Sequence, residues 1–280
     1  MCSDPSPRIS APVGRRAALT ALGAALAAGL SACAGPESAG SEPPAADPSQ
    51  AAGEPWGSPS ETPSPTPSKQ NRRSFTPDYG LPPVQNGLAP VITRIQTQHP
   101  VVFLTIDDGI TKTPEMAALL AESGLPASLF LTRNFVQDNP AFFKAFQGQG
   151  SLVENHTVSH NVNMVRQMSY DQQLAEITGM QTYAEQQFGR RPKLFRPPGG
   201  AYSNVMRKAV ADAGIQAIIT WEAKANAGHM DYQVGNALRP GDIVLMHFRP
   251  EFAADLAAFR QAQLAAGLEV VLLEDFLKVT

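Results

Sequence analysis

The fold of this chain is constrained most by short apolar runs that alternate with helical segments between residues 101 and 273. Runs such as VVFLTI at 101–106 are rich in β-branched residues and show no alternation of polar and apolar positions. Strands that are buried on both faces belong to parallel sheets that are covered by helices. The pattern therefore predicts an α/β fold, either a barrel or an open wound sheet.

The predicted strands and helices follow one another in turn. Seven strands are predicted, at 101–106, 127–132, 151–155, 193–195, 215–220, 242–247 and 268–273. Five helices are predicted between them, at 113–124, 139–150, 169–189, 203–214 and 250–267. Threonine and serine caps at helix starts, and glycines at helix ends, support several of these bounds.

The first 33 residues have the composition of an export signal. Basic residues precede a run of small and apolar residues that is too short to be a good membrane-spanning helix. The run ends in LSAC, which resembles the lipobox of bacterial lipoproteins, and this resemblance implies that Cys33 becomes the lipidated first residue of the mature chain. The alternative is an uncleaved N-terminal anchor in which Cys33 is incidental.

The rest of the chain divides into a linker and a globular domain. Residues 34–75 are rich in Pro, Ser, Glu, Gly and Ala and have few large apolar residues, which predicts a disordered linker. Residues 76–280 are long enough for one sizeable core. A net charge of -3 and the lack of a basic stripe argue against a nucleic-acid partner.

Most of the chemically reactive residues stand where a predicted strand ends. The carboxyl ends of parallel strands lie at one rim of an α/β fold, and ligands and catalytic groups gather there. The residues at these positions are Asp107, Asp108, His156, His160, Arg196 and His247. We therefore expect the segments TIDDG and HTVSH to meet in one site.

The spacing of the histidines in HTVSH indicates a metal site. Imidazoles four residues apart lie on one side of a helical turn, and two of them with one carboxylate leave coordination positions open for water. Adjacent aspartates at a strand end point in different directions, so one can bind the ion while the other acts as a base. Each motif alone has a simpler explanation, either a polar turn or two unrelated histidines.

The segment RPPGG at 196–200 adds a third element to this site. Its prolines and glycines predict a rigid turn whose backbone can approach a substrate closely. The guanidinium of Arg196 can hold a carboxylate in a fork geometry.

Five motifs, in the same order, resemble those of the polysaccharide deacetylases, a carbohydrate esterase family that removes acetyl groups from glycans. They are TIDDG at 105–109, HTVSH at 156–160, RPPGG at 196–200, TWEAK at 220–224 and LMH at 245–247. The resemblance covers residues 95–280, essentially the whole globular part. It implies a distorted (β/α) barrel of about seven parallel strands.

The resemblance also implies a role for each matching residue. The ligands of a divalent metal, usually zinc, would be Asp108, His156 and His160. Asp107 would be the general base, held by Arg196, and His247 would be the general acid. The backbone N–H of Gly199 would help to hold the oxyanion, and Trp221 and Leu245 would line the pocket for the acetyl methyl group.

Two positions depart from the family pattern. Gly199 stands where the third motif has an aromatic residue, so a side-chain contact is lost while the backbone donor remains. After Trp221, the sequence WEAKANAGHMD has no aspartate in register to orient His247. Either Asp231 takes that place from a shifted loop, or His247 has no such support.

The most direct interpretation is a metal-dependent hydrolase that removes N-acetyl groups from a cell-envelope polysaccharide, either peptidoglycan-like or chitin-like. We expect an exported monomer that is anchored by lipid at the outer face of the cell membrane, or secreted. One alternative is an O-acetyl esterase that acts on xylan or another acetylated glycan. The other is a weakly active or inactive glycan-binding lipoprotein.

Overall fold

The computed structural model describes residues 75–279 of the chain. The predicted export signal, the lipidation site at Cys33 and the predicted linker, except for Phe75, lie outside these residues. Phe75 packs against the ring of His99, with 5.3 Å between the ring centroids. Among residues 75–279, none of the helices combines the length and the apolar character that crossing a membrane requires.

A ten-stranded sheet lies at the centre of the described residues. Its strands are β1 (Val91–Ile92), β2 (Val101–Asp108), β3 (Ser128–Leu131), β4 (Leu152–Asn155), β5 (Leu194–Phe195), β6 (Ala217–Ile219), β7 (Ala223–Asn226), β8 (His229–Tyr232), β9 (Ile243–His247) and β10 (Glu269–Val270). The order across the sheet is β1-β6-β5-β4-β3-β2-β9-β7-β8, and β10 pairs with β2.

The first seven strands in this order are parallel to their neighbours and form a continuous arc. A bridge between Arg94 and Asp242 joins the chain just after β1 to the chain just before β9. The sheet is therefore curled into a half-barrel, and the predicted α/β fold with a distorted barrel is confirmed.

Helices pack against this arc. They are α1 (Pro114–Ser123), α2 (Arg133–Val136), α3 (Pro140–Gln147), α4 (Met164–Gln167), α5 (Tyr170–Phe188), α6 (Asn204–Asp212), α7 (Phe252–Ala265) and α8 (Leu273–Leu277). The Thr113 side chain caps α1 by accepting the N–H of Met116, and Gly124 ends the helix with a φ of 62°. Ser169 and Gln172 form a capping box at the start of α5.

Three parts of the fold differ from the sequence prediction. Residues 223–232, for which no strand or helix was predicted, make the antiparallel hairpin of β7 and β8. The last predicted strand is shorter, because β10 ends at Val270 and α8 begins at Leu273. Strand β1 and the short helices α2 and α4 were not predicted.

The two faces of each strand pack into different parts of the core. Leu104, Ile106 and Leu129 pack with residues of the helices α1, α3, α5 and α7. Phe103 and Phe130, at the alternate positions, pack together with α8 in a second cluster. Because successive strand residues point to opposite faces, Asp107 shares the face of Phe103, the concave face. This places Asp107 inside the rim of the half-barrel.

Candidate active site

Asp107 and Asp108 are the last residues of strand β2, and their side chains point in different directions, as expected for neighbours in a strand. Asp107 is buried within the half-barrel, whereas Asp108 is partly exposed and has a positive φ of 75°. The left-handed conformation of Asp108 turns the chain at the strand end, and Gly109 follows with a φ of 84°. The two carboxylates consequently face different partners.

His156 is fixed by a backbone carbonyl. Its Nδ1 lies 2.7 Å from the carbonyl oxygen of Arg196. A carbonyl can only accept a hydrogen bond, so Nδ1 carries the proton and Nε2 keeps its lone pair in the neutral ring. That Nε2 lies 3.5 Å from Oδ1 of Asp108. His156 is therefore in the tautomer that a metal ligand needs.

His160 approaches the same carboxylate oxygen, with its Nε2 3.0 Å from Oδ1 of Asp108. The two imidazole rings are 4.9 Å apart between centroids. Contrary to the expectation of a helical turn, residues 156–160 form a loop in which Thr157 and His160 have positive φ values of 74° and 58°. The loop brings the two imidazoles together, which the sequence analysis had explained by a helical turn.

The three side chains fit a metal ion. Their ligand atoms all lie within 4.8 Å of one another. Ligand atoms about 2.0–2.1 Å from a tetrahedral zinc would be about 3.3 Å apart, close to the distances around Asp108. Asp108 Oδ1 is buried, and no hydrogen bond of good geometry satisfies it within residues 75–279. Two nitrogens and one carboxylate oxygen are a donor set that suits zinc.

The electrostatics of this cluster also favour a bound cation. Burial by itself would raise the pKa of Asp108, but the imidazoles of His156 and His160 hold that pKa well below its usual value. Burial opposes a charge on His156, and the carboxylates of Asp107 and Asp108 raise its pKa above the usual value. The site thus concentrates negative charge where a positive ion would be stabilised.

Asp107 is held by a buried arginine. Nη1 of Arg196 lies 2.7 Å from Oδ1 of Asp107 and also donates to the hydroxyl of Thr105 at 2.8 Å. The carbonyls of Ile219 and Thr220 accept from the same guanidinium. The second oxygen of Asp107 is 3.7 Å from Nε2 of His156. Asp107 is therefore oriented with one oxygen facing the candidate metal site.

His247 stands opposite Asp107 in the register of β9 and β2. Its Nδ1 is buried and has no hydrogen-bond partner within the described residues. Asp231, the substitute considered from the sequence, pairs instead with Lys224 and His229 at 3.3 and 3.4 Å. Burial lowers the pKa of His247 below its usual value. No carboxylate within residues 75–279 thus orients His247.

The remaining predicted residues surround the same rim. Gly199 lies in a 3₁₀ turn with a φ of 68°. Trp221 packs on the next glycine: a Cβ added to Gly200 would lie 2.7 Å from its ring. Leu245 is buried on β9, two residues before His247 and therefore on the same face.

Comparison with known proteins accounts for this arrangement. A family model described as polysaccharide deacetylase matches residues 94–218. A peptidoglycan-N-acetylglucosamine deacetylase of Bacillus cereus is 31% identical over 168 residues, which are 56% of this chain and 76% of that protein. The chain belongs to the polysaccharide deacetylase family.

Two further similarities accompany this membership of the polysaccharide deacetylase family. An uncharacterized protein of Streptomyces coelicolor is 38% identical over 196 residues, covering 68% of this chain and 78% of that protein. A pseudoenzyme of carbohydrate esterase family 4 from Bacillus anthracis matches with a TM-score of 0.58 and 22% identity, covering 69% of this chain and 70% of that one. The second likeness shows the fold alone.

The sequence prediction missed residues that support the deacetylase motifs. The hydroxyl of Thr132 donates to the carbonyl oxygen of His156, and Oδ1 of Asn155 accepts the N–H of Thr157. The hydroxyl of Thr105 accepts a hydrogen bond from Arg196, as described above. The available signal was a polar residue within or at the end of an otherwise apolar strand, which a buried polar partner explains.

Proposed function

We propose that this member of the polysaccharide deacetylase family is a metal-dependent hydrolase that removes N-acetyl groups from a cell-envelope polysaccharide. The observation that carries the proposal is the convergence of Asp108, His156 and His160 beside a carboxylate that Arg196 holds. The names of relatives support this direction, since one is a peptidoglycan-N-acetylglucosamine deacetylase and another a chitooligosaccharide deacetylase.

In the proposed reaction, each residue acts on a definite atom. A divalent ion, with zinc the first candidate, would supply a more acidic water and polarise the acetyl carbonyl. Asp107 accepts the proton of the attacking water, and Arg196 holds this carboxylate in place by a hydrogen bond. The backbone N–H of Gly199 donates to the carbonyl oxygen as negative charge develops on it.

His247 completes the reaction by donating a proton to the leaving nitrogen. Trp221 and Leu245 form the walls beside the acetyl methyl group. The lowered pKa of His247 makes it a stronger acid but leaves less of it protonated at neutral pH. Its Nδ1 has no partner within the described residues, so no hydrogen-bonded carboxylate stabilises the protonated ring there.

The same observation on His247 favours a second candidate, an O-acetyl esterase. An amine must be protonated before it leaves, whereas an alcohol leaves an ester with less help from a general acid. A poorly supported His247 would therefore impair amide cleavage more than ester cleavage.

Acetate release tests both candidates and the inactive alternative. The full chain is incubated with peptidoglycan, chitin oligosaccharides and acetylated xylan, with and without a chelator. We expect release from the N-acetylated substrates, loss with the chelator and recovery with added zinc. Release from xylan alone would favour the esterase. No release from any substrate, by a folded chain that binds zinc, would favour a glycan-binding protein.

We further propose that lipidation of Cys33 holds the chain at the outer face of the cell membrane. In Cys33→Ser, we expect the protein to move from the membrane fraction to soluble or unprocessed fractions, because one lipid-bearing residue would supply the whole anchor. Cys2→Ser is the matched control and should leave the distribution unchanged. Membrane attachment of Cys33→Ser equal to that of the unchanged chain would contradict lipidation.

A further inference from the structure

The loop that carries His156 and His160 has an unfavourable backbone conformation. Thr157 and His160 have positive φ values of 74° and 58°, which residues other than glycine rarely adopt. Thr157 is also β-branched, so its left-handed conformation is especially costly. Such a conformation persists only where surrounding contacts hold it.

Part of the support comes from the start of α2. The N–H groups of Arg133 and Asn134 donate to the carbonyl oxygens of Thr157 and Val158 at 3.1 and 3.0 Å. These bonds fix the carbonyl side of the loop. They leave the N–H groups between the two histidines to be satisfied from elsewhere.

The other side of the loop is held by a carboxylate of α5. One oxygen of Glu176, Oε2, accepts the N–H of Val158 at 3.1 Å and the N–H of Ser159 at 2.8 Å. Both donors lie between the candidate ligands. Glu176 is therefore placed to set the path of the chain from His156 to His160.

A glycine of the same helix allows the close approach. A Cβ added to Gly179 would lie 2.8 Å from Cγ2 of Val158, a separation that real Cβ atoms essentially never show. Glycine inside a helix is less stable than alanine by about 1 kcal/mol, so its presence there calls for a packing reason. Contact with the loop at Val158 supplies that reason.

We propose that Glu176 is a positioning residue for the metal ligands His156 and His160, and that Gly179 lets α5 approach closely enough for this contact. The role rests on the proposed function, since it acts through the binding of an ion. The hydrogen bonds of Glu176 described above go to the backbone between the two candidate ligands. Glu176 orders the backbone from which both imidazoles extend.

Zinc titration of the full chain measures this role directly. We expect Glu176→Ala to weaken zinc affinity by about 10- to 100-fold, the usual effect of removing a group that supports metal ligands. Glu176→Gln should stay close to the unchanged chain, because its amide oxygen can accept both N–H groups. Glu185→Ala is the matched control, since Glu185 is an exposed residue of the same helix paired with Arg191 at 3.6 Å.

A second pair of variants tests the same contact without changing charge. Gly179→Ala should weaken zinc affinity, because the new methyl group displaces Val158 and the loop with it. Val158→Ala removes the atom that would clash, so the double variant should bind zinc more tightly than Gly179→Ala. The melting temperature of each metal-free variant shows whether the fold is retained.

The outcomes distinguish a failure of the proposed function from a failure of the positioning role of Glu176. A folded, unchanged chain that does not bind zinc would overturn the proposed function and the role of Glu176 with it. A chain that binds zinc while Glu176→Ala binds it equally well would overturn the positioning role alone. Equal losses in Glu176→Gln and Glu176→Ala would show that the charge, rather than the geometry of the loop, is what matters. That result would also overturn the role.

Discussion

Replacing Asp107 with asparagine is expected to lower turnover by about 10²–10⁴-fold while the metal content stays near normal. The change removes a proton acceptor and keeps the size of the side chain. Arg196 is fully buried and would lose its carboxylate partner, so we also expect a lower melting temperature. Acetate release and metal content are measured on the same folded sample.

Replacing Asp108 with asparagine should lower the metal content, which Asp107→Asn leaves near normal. Oδ1 of Asp108 is the oxygen nearest to both imidazoles, and the substitution exchanges an anionic ligand for a neutral, weaker one. Metal occupancy should therefore fall, and added zinc should restore part of the activity. Asp171→Asn, at an exposed position of α5, is the control. Equal metal loss in Asp107→Asn and Asp108→Asn would mean that the two roles are shared or reversed.

The second large effect is expected from the histidines. His156→Ala or His160→Ala should abolish tight zinc binding and activity together, because each removes one of the three candidate ligands. An imidazole must be neutral to bind a metal, so zinc affinity of the unchanged chain should also fall as the pH is lowered.

His229→Ala is the matched control for the histidine variants. His229 is exposed at the start of β8, where it pairs with Asp231, and its loss should leave zinc binding unchanged. Zinc content is measured after dialysis, alongside acetate release. Stoichiometric zinc retained by both His156→Ala and His160→Ala would exclude this cluster as the metal site.

The strands that could be predicted from the sequence are those buried on both faces, because such strands are apolar throughout. Strands β2, β3 and β9 are mostly apolar and buried, and their places agree with the prediction. The hairpin of β7 and β8 was hidden because two of its inward positions are Ala223 and Ala225, and alanine is depleted in strands. Its turn at Ala227 and Gly228 has positive φ values of 51° and 79°, a geometry that hairpins favour.

The sequence also predicted which side chains would meet, but not how. The ends of parallel strands bring Asp107, His156 and Arg196 to one rim whatever the intervening loops do. The loop geometry depends on contacts with α5 that are distant in the chain, such as those of Glu176, and no local pattern reports them. For the same reason, the sequence left open whether Asp231 would reach His247.

The left-handed residues around the site bear on how such a chain would evolve. Asp108, Thr157 and His160 each have a conformation that costs about 1–2 kcal/mol for most residues, although aspartate tolerates it better. Glycine at position 157 would relieve this strain, but it would also remove the hydroxyl that accepts the N–H of His160 at 3.0 Å. Any change at position 157 is therefore constrained by the path of the chain to His160 as well as by the stability of the fold.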